Sequence, residues 1–467
     1  MNIALIVAYA EIVGMVVAVT LVAVAGIGVA VSRPKYPVYL LLGVLIFFSA
    51  STWGRLEVTS TIYDRGTGQL NFSFVNLYLW GTALAMALAG PFRRTPAAPC
   101  DLTKYFWLFN LFFAAHVIVG LATDVPFFSI MSYNGVLNIL NMSVLMFILL
   151  QAFDNPRDLD ELTKLFMVSV FARGIFGLVR LAFFGGDPIN VYASYEKIAV
   201  KLTFFDINDS LIATIAAFYA AWRLAWDGKT MKPSGKWFYG VLLVVEILVV
   251  VFSYRRTAIG GFALAAALFV ILQPKPRRLV FLLIGSIVFT LGLGVIVTGR
   301  LQQVRGARGG ILDALLPDLF GGRSGDVSSG RFGELFMAFD TIRDHWLLGA
   351  GTWAEFRGGV IAYHFGVYDF VHSGVVHIWL KTGLVGLALF VGGLLSYIVF
   401  VHAKRRMIEP VQRAFFEAAF AGFLFSIPNV LVGTPIIEFR TMLLFGLVLA
   451  IPYLVYHSSM QTAGTKP

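Results

Sequence analysis

Apolar runs of about twenty residues recur along most of the chain, and short polar segments separate them. An α-helix needs about twenty apolar residues to cross a bilayer, so each run predicts one transmembrane helix. About thirteen spans are predicted in this way, near residues 5–31, 37–53, 72–91, 105–122, 135–152, 165–184, 207–226, 237–253, 257–273, 279–298, 374–402, 414–431 and 441–457. The pattern therefore predicts an all-α polytopic membrane protein with about 12–13 transmembrane helices.

One stretch of about seventy residues, from Gly299 to Val371, is too long to be a simple connection. Within it, "SSGRFGELFMAFDTIRDHWLLGAG" repeats apolar residues at helical spacing, and Ser328 or Ser329 can cap the start. We therefore expect a structured loop that carries an amphipathic helix lying on the outer membrane face. The predicted apolar stripe comprises Phe332, Leu335, Phe336, Phe339, Ile342 and Trp346.

The composition agrees with a membrane protein. Of 467 residues, 58% are hydrophobic and 13% are charged, whereas soluble domains average about 45–50% apolar and about 25% charged residues. The single cysteine, Cys100, excludes an intramolecular disulfide and any multi-cysteine metal site. No basic residue precedes Arg33, so the first apolar run is interpreted as a span with its N-terminus outside rather than as a signal peptide.

The loops alternate in charge. Short basic loops, among them "SRPKYP", "FRRTPAAPCDLTK", "PKPRR" and "AKRRMIEPVQR", are predicted to be cytoplasmic, while "TDVPFFSIMSYNG" carries no Lys or Arg and is predicted to face the periplasm or the exterior. The net charge of +10 is then largely a topogenic signal, and nucleic acid is not an expected partner. The predicted organisation is an N-terminal transmembrane bundle (1–298), a large periplasmic loop (299–373) and C-terminal transmembrane helices (374–467) within one integral membrane domain.

The doublet of Arg255 and Arg256, in "VVVFSYRRTAIGGFALA", falls in a tight turn on the outer side, against the usual bias of positive charge. Both side chains can reach lipid phosphates, or they can form a diphosphate site, because guanidinium groups match phosphate oxygens in bidentate geometry. Tyr254 beside them can hydrogen-bond or stack on a sugar.

Two further arginines, Arg173 and Arg180, lie seven residues apart on one face of a predicted span. Intramembrane arginines usually face a polar cavity or a partner, so both are candidates for a lipid-phosphate cavity. Glu246 and Glu11 also lie within apolar runs and can be structural counter-ions of intramembrane arginines. The sequence does not decide between such ion pairs and a lipid-phosphate cavity.

The long outer loop adds Arg331 at the first turn of its amphipathic helix, where the helix N-terminus also favours anions. His372 and His377, in "YDFVHSGVVHIWLKTG", lie at the start of the next span. Their spacing of five is poor for a shared metal, and no HExxH or DxD pattern occurs, so no metal and no cofactor are expected. A general base is the alternative to a structural histidine.

Four segments in this order resemble the O-antigen ligase and O-antigen polymerase superfamily, over roughly residues 200–395. "FFDINDSLIA" is similar to the family's Asn-containing segment, "FSYRRTAIGG" to its arginine-containing turn, and "GRFGELFMAFDTIRDHWLLGAGTWAEF" to its outer-loop helix and turn. His372 in "DFVHSGVVHIWLKTGLVG" stands where the family has a histidine before a spanning helix. The predicted N-terminal span is one more than its ligases commonly have.

The resemblance implies a GT-C-like glycosyltransferase of the bacterial inner membrane, with its active site on the periplasmic side and without metal. It would transfer a glycan from undecaprenyl diphosphate to a hydroxyl of lipid A–core, or to a growing glycan if the protein is a polymerase. His372 would be the base, and Arg331 together with Arg256 or Arg255 would bind the diphosphate; which arginine of the doublet contacts phosphate stays open. Asn208 and His377 are possible substrate contacts. A transporter of a polyprenyl lipid is an alternative from another class; it predicts inverted repeats, and no such pairing is found.

Overall fold

A computed structural model of the chain describes residues 28–29, 32–48, 73–90, 97–153, 155–184, 205–253, 255–272, 275–303, 331–357 and 367–464. Almost all of the predicted first span, 5–31, lies outside these residues, as does Tyr254.

The described part of the chain is built almost entirely of helices. In chain order they are α1 (Lys35–Phe47), α2 (Phe74–Ala89), α3 (Leu102–Ala122), α4 (Phe127–Ile130), α5 (Leu137–Ala152), α6 (Pro156–Phe184), α7 (Ile207–Trp226), α8 (Pro233–Val251), α9 (Arg256–Leu272), α10 (Lys275–Gln303), α11 (Arg331–Asp344), α12 (Gly374–Lys404), α13 (Pro410–Val432) and α14 (Phe439–Gly464). A 3₁₀ turn, Pro435–Ile437, precedes α14, and two strands of two residues each, β1 (Phe356–Arg357) and β2 (Val367–Tyr368), pair antiparallel between α11 and α12.

The helices confirm the prediction of an all-α polytopic membrane protein. Among the described residues, six helices are long and apolar enough to cross a membrane: α3, α6, α8, α12, α13 and α14. Shorter apolar helices coincide with the predicted spans near 37–53, 72–91, 135–152, 257–273 and 279–298. The remaining predicted span, 207–226, coincides with α7, which is not among the six, so each predicted span from residue 37 onward contains a helix.

The C-terminal helices form the centre of the bundle. Within the most apolar stretch of α14, 94% is buried inside the protein, and within that of α13 the buried share is 67%. By contrast α3 is only 22% buried, and it exposes large apolar residues such as Ile118 and Val119. A peripheral helix with an apolar outer surface is what a lipid environment allows and water does not.

The two ends of the bundle carry different sets of residues. At one end, α1 and α6 are joined by Lys35, whose Nζ lies 2.6 Å from both Asp158 Oδ1 and Glu161 Oε2. The predicted cytoplasmic loops flank this end. At the opposite end, which we call the site end, α1 and α6 finish and α7, α9, α12 and α14 begin. The residues predicted for the functional site lie at or near the site end.

The helix predicted in the long loop is present as α11, and it packs on α12. Ala338 and Ile342 are buried in this contact, at 0% and 2% exposure. The predicted apolar stripe is divided by it, because Phe336 (74% exposed) and Trp346 (52% exposed) point away from the protein. Spacing alone does not separate a face buried in protein from an apolar face left outside. That the outer face of α11 lies on a membrane stays a prediction.

Candidate functional site

A break in α12 docks the long loop onto the membrane-spanning bundle. Gly383 has φ of 65° and ψ of −170° within α12, so the helical hydrogen bonds are interrupted there. The freed N–H of Leu384 donates to Trp346 O at 2.8 Å, and that of Val385 donates to Leu347 O at 3.1 Å. In return, Ala350 N–H donates to Leu380 O at 2.9 Å. The "WLLGA" turn therefore satisfies backbone groups that the break exposes.

The same docking requires glycine on both sides. Gly349 has φ of 84°, and a Cβ atom there would lie 2.5 Å from the backbone nitrogen of Gly383. Beside this contact, Lys381 is buried and its Nζ donates to Ala354 O at 2.6 Å. These contacts fix the position of α11 relative to the start of α12.

His372, the predicted base, meets a carboxylate on α11 because of this docking. Its Nδ1–H donates to Glu334, at 2.9 Å from Oε2 and 3.1 Å from Oε1, and its backbone N–H also donates to Oε2, at 3.3 Å. The side chain of Glu334 is 8% exposed and that of His372 is 30% exposed. A carboxylate only accepts hydrogen bonds, so the proton on Nδ1 is fixed and Nε2 remains an acceptor.

The segment that carries His372 is held by a second histidine. His377 is buried; Val371 N–H donates to its Nδ1 at 3.4 Å, so its Nε2–H donates to Gly135 O at 3.0 Å. Asn134, next to Gly135, donates to Asp369 Oδ2 at 2.8 Å. His377 thus has protein partners at both ring nitrogens, and its predicted contact with substrate stays untested.

Arg255 and Arg256 are exposed at the site end, where α9 begins. Arg255 interacts electrostatically with Glu438, a residue of the loop that precedes α14. Thr441 Oγ1 donates to Glu438 Oε2 at 2.6 Å and Thr434 Oγ1 donates to Oε1 at 3.2 Å. Burial raises the pKa of Glu438, and the neighbouring Asp206 raises it further, while the two hydroxyls and Arg255 act in the opposite direction.

Arg173 is 2% exposed and lies in a buried network of charges. Its Nη2 is 3.0 Å from Asp209 Oδ2, and its Nη1 donates to Phe47 O at 3.2 Å. Arg440 joins the same carboxylate, with Nη2 3.0 Å from Asp209 Oδ1, and binds Asp206 through Nη1 at 2.9 Å. The counter-ion of Arg173 is therefore Asp209. Neither carboxylate oxygen of Glu246 has a hydrogen-bond partner among the described residues.

Asn208 lies between these two aspartates in the first turn of α7 and is 5% exposed. It lines a small cavity between α7, α13 and α14, together with Ser426, Asn429 and Thr441. Within the part of the chain that is described, its Oδ1 has no hydrogen-bond partner. The predicted substrate contact is thus a buried amide facing a narrow, mostly apolar cavity.

The remaining predicted arginines lie at helix ends. Arg180 is partly exposed in the last turns of α6, and Arg331 is the first residue of α11, as predicted. Gly374, two residues after His372, packs within reach of Ile436 and Pro435, which precede Glu438. This contact brings the segment of His372 to the same end as Glu438 and Arg255. No group of three or more His, Cys, Asp or Glu side chains suited to a metal ion occurs among the described residues.

The family model for O-antigen ligase matches residues 241–391. This match confirms the predicted resemblance to the O-antigen ligase and O-antigen polymerase superfamily over this part of the chain. The match spans about a third of the 467 residues and runs from α8 past the break in α12. Arg255, Arg256, Arg331, Glu334 and His372 lie inside it, whereas the buried network of Arg173, Asp209 and Arg440 lies outside. A comparison with curated proteins finds no match to this chain.

Sequence analysis did not single out Glu334, Asp206, Asp209, Glu438 or Arg440. Each has an ordinary sequence context, and its charged partner lies up to 234 positions away. The signal that was present is the short spacing of Asp206 and Asp209, typical of a helix N-terminus, where the structure forms a capping box.

Proposed function

We propose that this protein is a glycosyltransferase of the O-antigen ligase type. It transfers a glycan from undecaprenyl diphosphate to a hydroxyl of lipid A–core, at the periplasmic face of the bacterial inner membrane. The observation that carries the proposal is the contact of His372 with the first turns of α11, because it places a candidate base beside the helix end that begins with Arg331. Phosphate binding is favoured at helix N-termini.

In the proposed reaction, the acceptor hydroxyl oxygen attacks the anomeric carbon of the donor sugar. The new glycosidic C–O bond forms as the C–O bond to the diphosphate breaks, and the hydroxyl proton passes to His372 Nε2. The diphosphate leaves with the bonding electrons. Arg255, Arg256 and Arg331 stabilise the developing charge, with Arg180 at the edge of the site.

Arg173 has a different place in this proposal. Its guanidinium is bound by Asp209 and Phe47 O, so we assign it to holding α6, α7 and α1 together behind the site. Asn208 and His377 are proposed to support the site from their buried positions. No metal or cofactor takes part in the proposed reaction.

The proposal is tested with purified protein, an undecaprenyl-diphosphate-linked glycan and lipid A–core. Replacing both Arg255 and Arg256 with Gln is expected to lower kcat/KM for the donor at least about 100-fold, since each removed charge-assisted contact contributes about 1.5–3 kcal/mol. Arg343→Gln, which alters an exposed arginine at the far end of α11, is the matched control. Transfer at the wild-type rate by the double variant contradicts the diphosphate site.

The products separate the candidate activities. A ligase needs lipid A–core, whereas a polymerase lengthens the glycan on its own lipid carrier when no core is supplied. Movement of the lipid-linked glycan across a vesicle membrane without any new glycosidic bond would instead identify a transporter. A chelator added to the transfer reaction tests the proposed independence from metal, and loss of activity on chelation would contradict it.

A further inference from the structure

Glu334 is buried, and in the described part of the chain its carboxylate hydrogen-bonds to His372. Both oxygens lie within hydrogen-bond distance of His372 Nδ1, at 2.9 and 3.1 Å, and Oε2 also accepts from the backbone N–H of His372 at 3.3 Å. Burying a carboxylate costs free energy unless the carboxylate is paired. The position of Glu334 beside a partly exposed imidazole therefore indicates a specific role.

The geometry points to Glu334 as a positioning residue for the base, an assignment that rests on the proposed function. The carboxylate keeps the proton of the neutral imidazole on Nδ1, which leaves Nε2 free to accept the proton of the acceptor hydroxyl. Once His372 has taken that proton, the imidazolium lies against a negative charge and is stabilised by it.

Glu334 also lies near the proposed phosphate-binding site. It lies three residues after Arg331, so the first turns of α11 carry both the proposed phosphate-binding arginine and the carboxylate that orients the base. Because α11 is fixed on α12 by the "WLLGA" turn and the break at Gly383, one helix positions both the base and Arg331 of the leaving-group site.

The test compares Glu334→Gln and Glu334→Asp with the wild-type protein, measuring kcat and the donor KM separately. Glutamine keeps the size of the side chain but loses its charge, and its NH₂ group can donate to Nδ1 and so move the imidazole proton to Nε2. We expect kcat to fall at least about 10-fold with a donor KM within about threefold of wild type. Aspartate keeps the charge and is expected to retain more activity than glutamine.

Asp340→Asn, on the exposed side of the same helix, is the matched control and should leave kcat unchanged. A kcat of Glu334→Gln within twofold of wild type overturns the assignment. Equal losses in the Gln and Asp variants, with a raised KM and a lower melting temperature, also overturn it, because they indicate a purely structural role. Normal activity of His372→Ala would overturn the proposed function itself, so the two failures are distinguishable.

Discussion

At the scale of single residues, the buried arginines at the site end are held by aspartates from distant parts of the chain. Asp209 pairs with Arg173, 36 positions earlier in the chain, and with Arg440, 231 positions later. The sequence identifies Arg173 as an arginine that needs a partner, because it interrupts an apolar run. It does not identify the partner, since Glu246, Glu11 and Asp209 are equally available before the helices are packed.

Asp209→Asn is expected to destabilise the protein by about 3–5 kcal/mol, because it removes the carboxylate that two buried guanidinium groups share. Reversible unfolding in mixed detergent micelles measures the change. Asp227→Asn is the control at the other end of α7, where a partly exposed pair with Arg223 is worth about 0.5 kcal/mol. Equal effects of the two substitutions would contradict the structural importance of the network.

Glu438 gives a prediction about pH. Its pKa is raised in the folded protein, mainly by burial, so folding favours the neutral carboxyl group. The stability it contributes is fully present below its unfolded pKa of about 4.3 and is lost as the pH rises through the folded value. The melting temperature of Glu438→Gln minus that of the wild type, measured from pH 4 to pH 8, should therefore increase as the pH rises. A constant difference, or one that shifts in favour of the wild type, would show that folding does not raise the pKa of Glu438.

At the scale of elements, the positions of the helices were predictable and their interruptions were not. Apolar length alone placed α1, α2 and α5 near their observed positions, because a lipid environment demands long helical runs whatever their packing. The apolar pattern predicts one continuous span over 374–402, although the helix is interrupted at Gly383. Nothing in an apolar run distinguishes a helical glycine from one with positive φ, which is decided by the "WLLGA" turn packing against it.

Gly383→Ala should separate these two roles of glycine. Its φ of 65° is unfavourable for alanine, and a Cβ would lie 2.3 Å from Leu347 O, so a loss of about 1–3 kcal/mol is expected together with loss of transferase activity. Gly393→Ala, on the same helix, meets only ordinary contacts at 3.5 Å and should be tolerated. Thermal unfolding and the transfer assay check both variants, and a fully active Gly383→Ala would show that the docked turn does not position the site.

At the scale of the whole molecule, segments far apart in sequence meet at one end of the bundle. Loop charges predicted that Arg255, Arg331 and His372 lie on one side of a membrane, and the structure brings the segments that carry them to the same end. This much follows from alternating spans, which place every second loop together. Which side chains touch there depends on helix rotation and docking, so the partnership of His372 with Glu334 required the structure.

The central claim is that His372 is the base for glycan transfer, and its most direct test is a single-turnover assay on folded, purified protein. His372→Ala is compared with His345→Ala, which alters an exposed histidine near the end of α11. A rate at least about 100-fold lower for His372→Ala, with donor binding retained and His345→Ala at the wild-type rate, is the predicted result. Transfer by His372→Ala at the wild-type rate would contradict the claim.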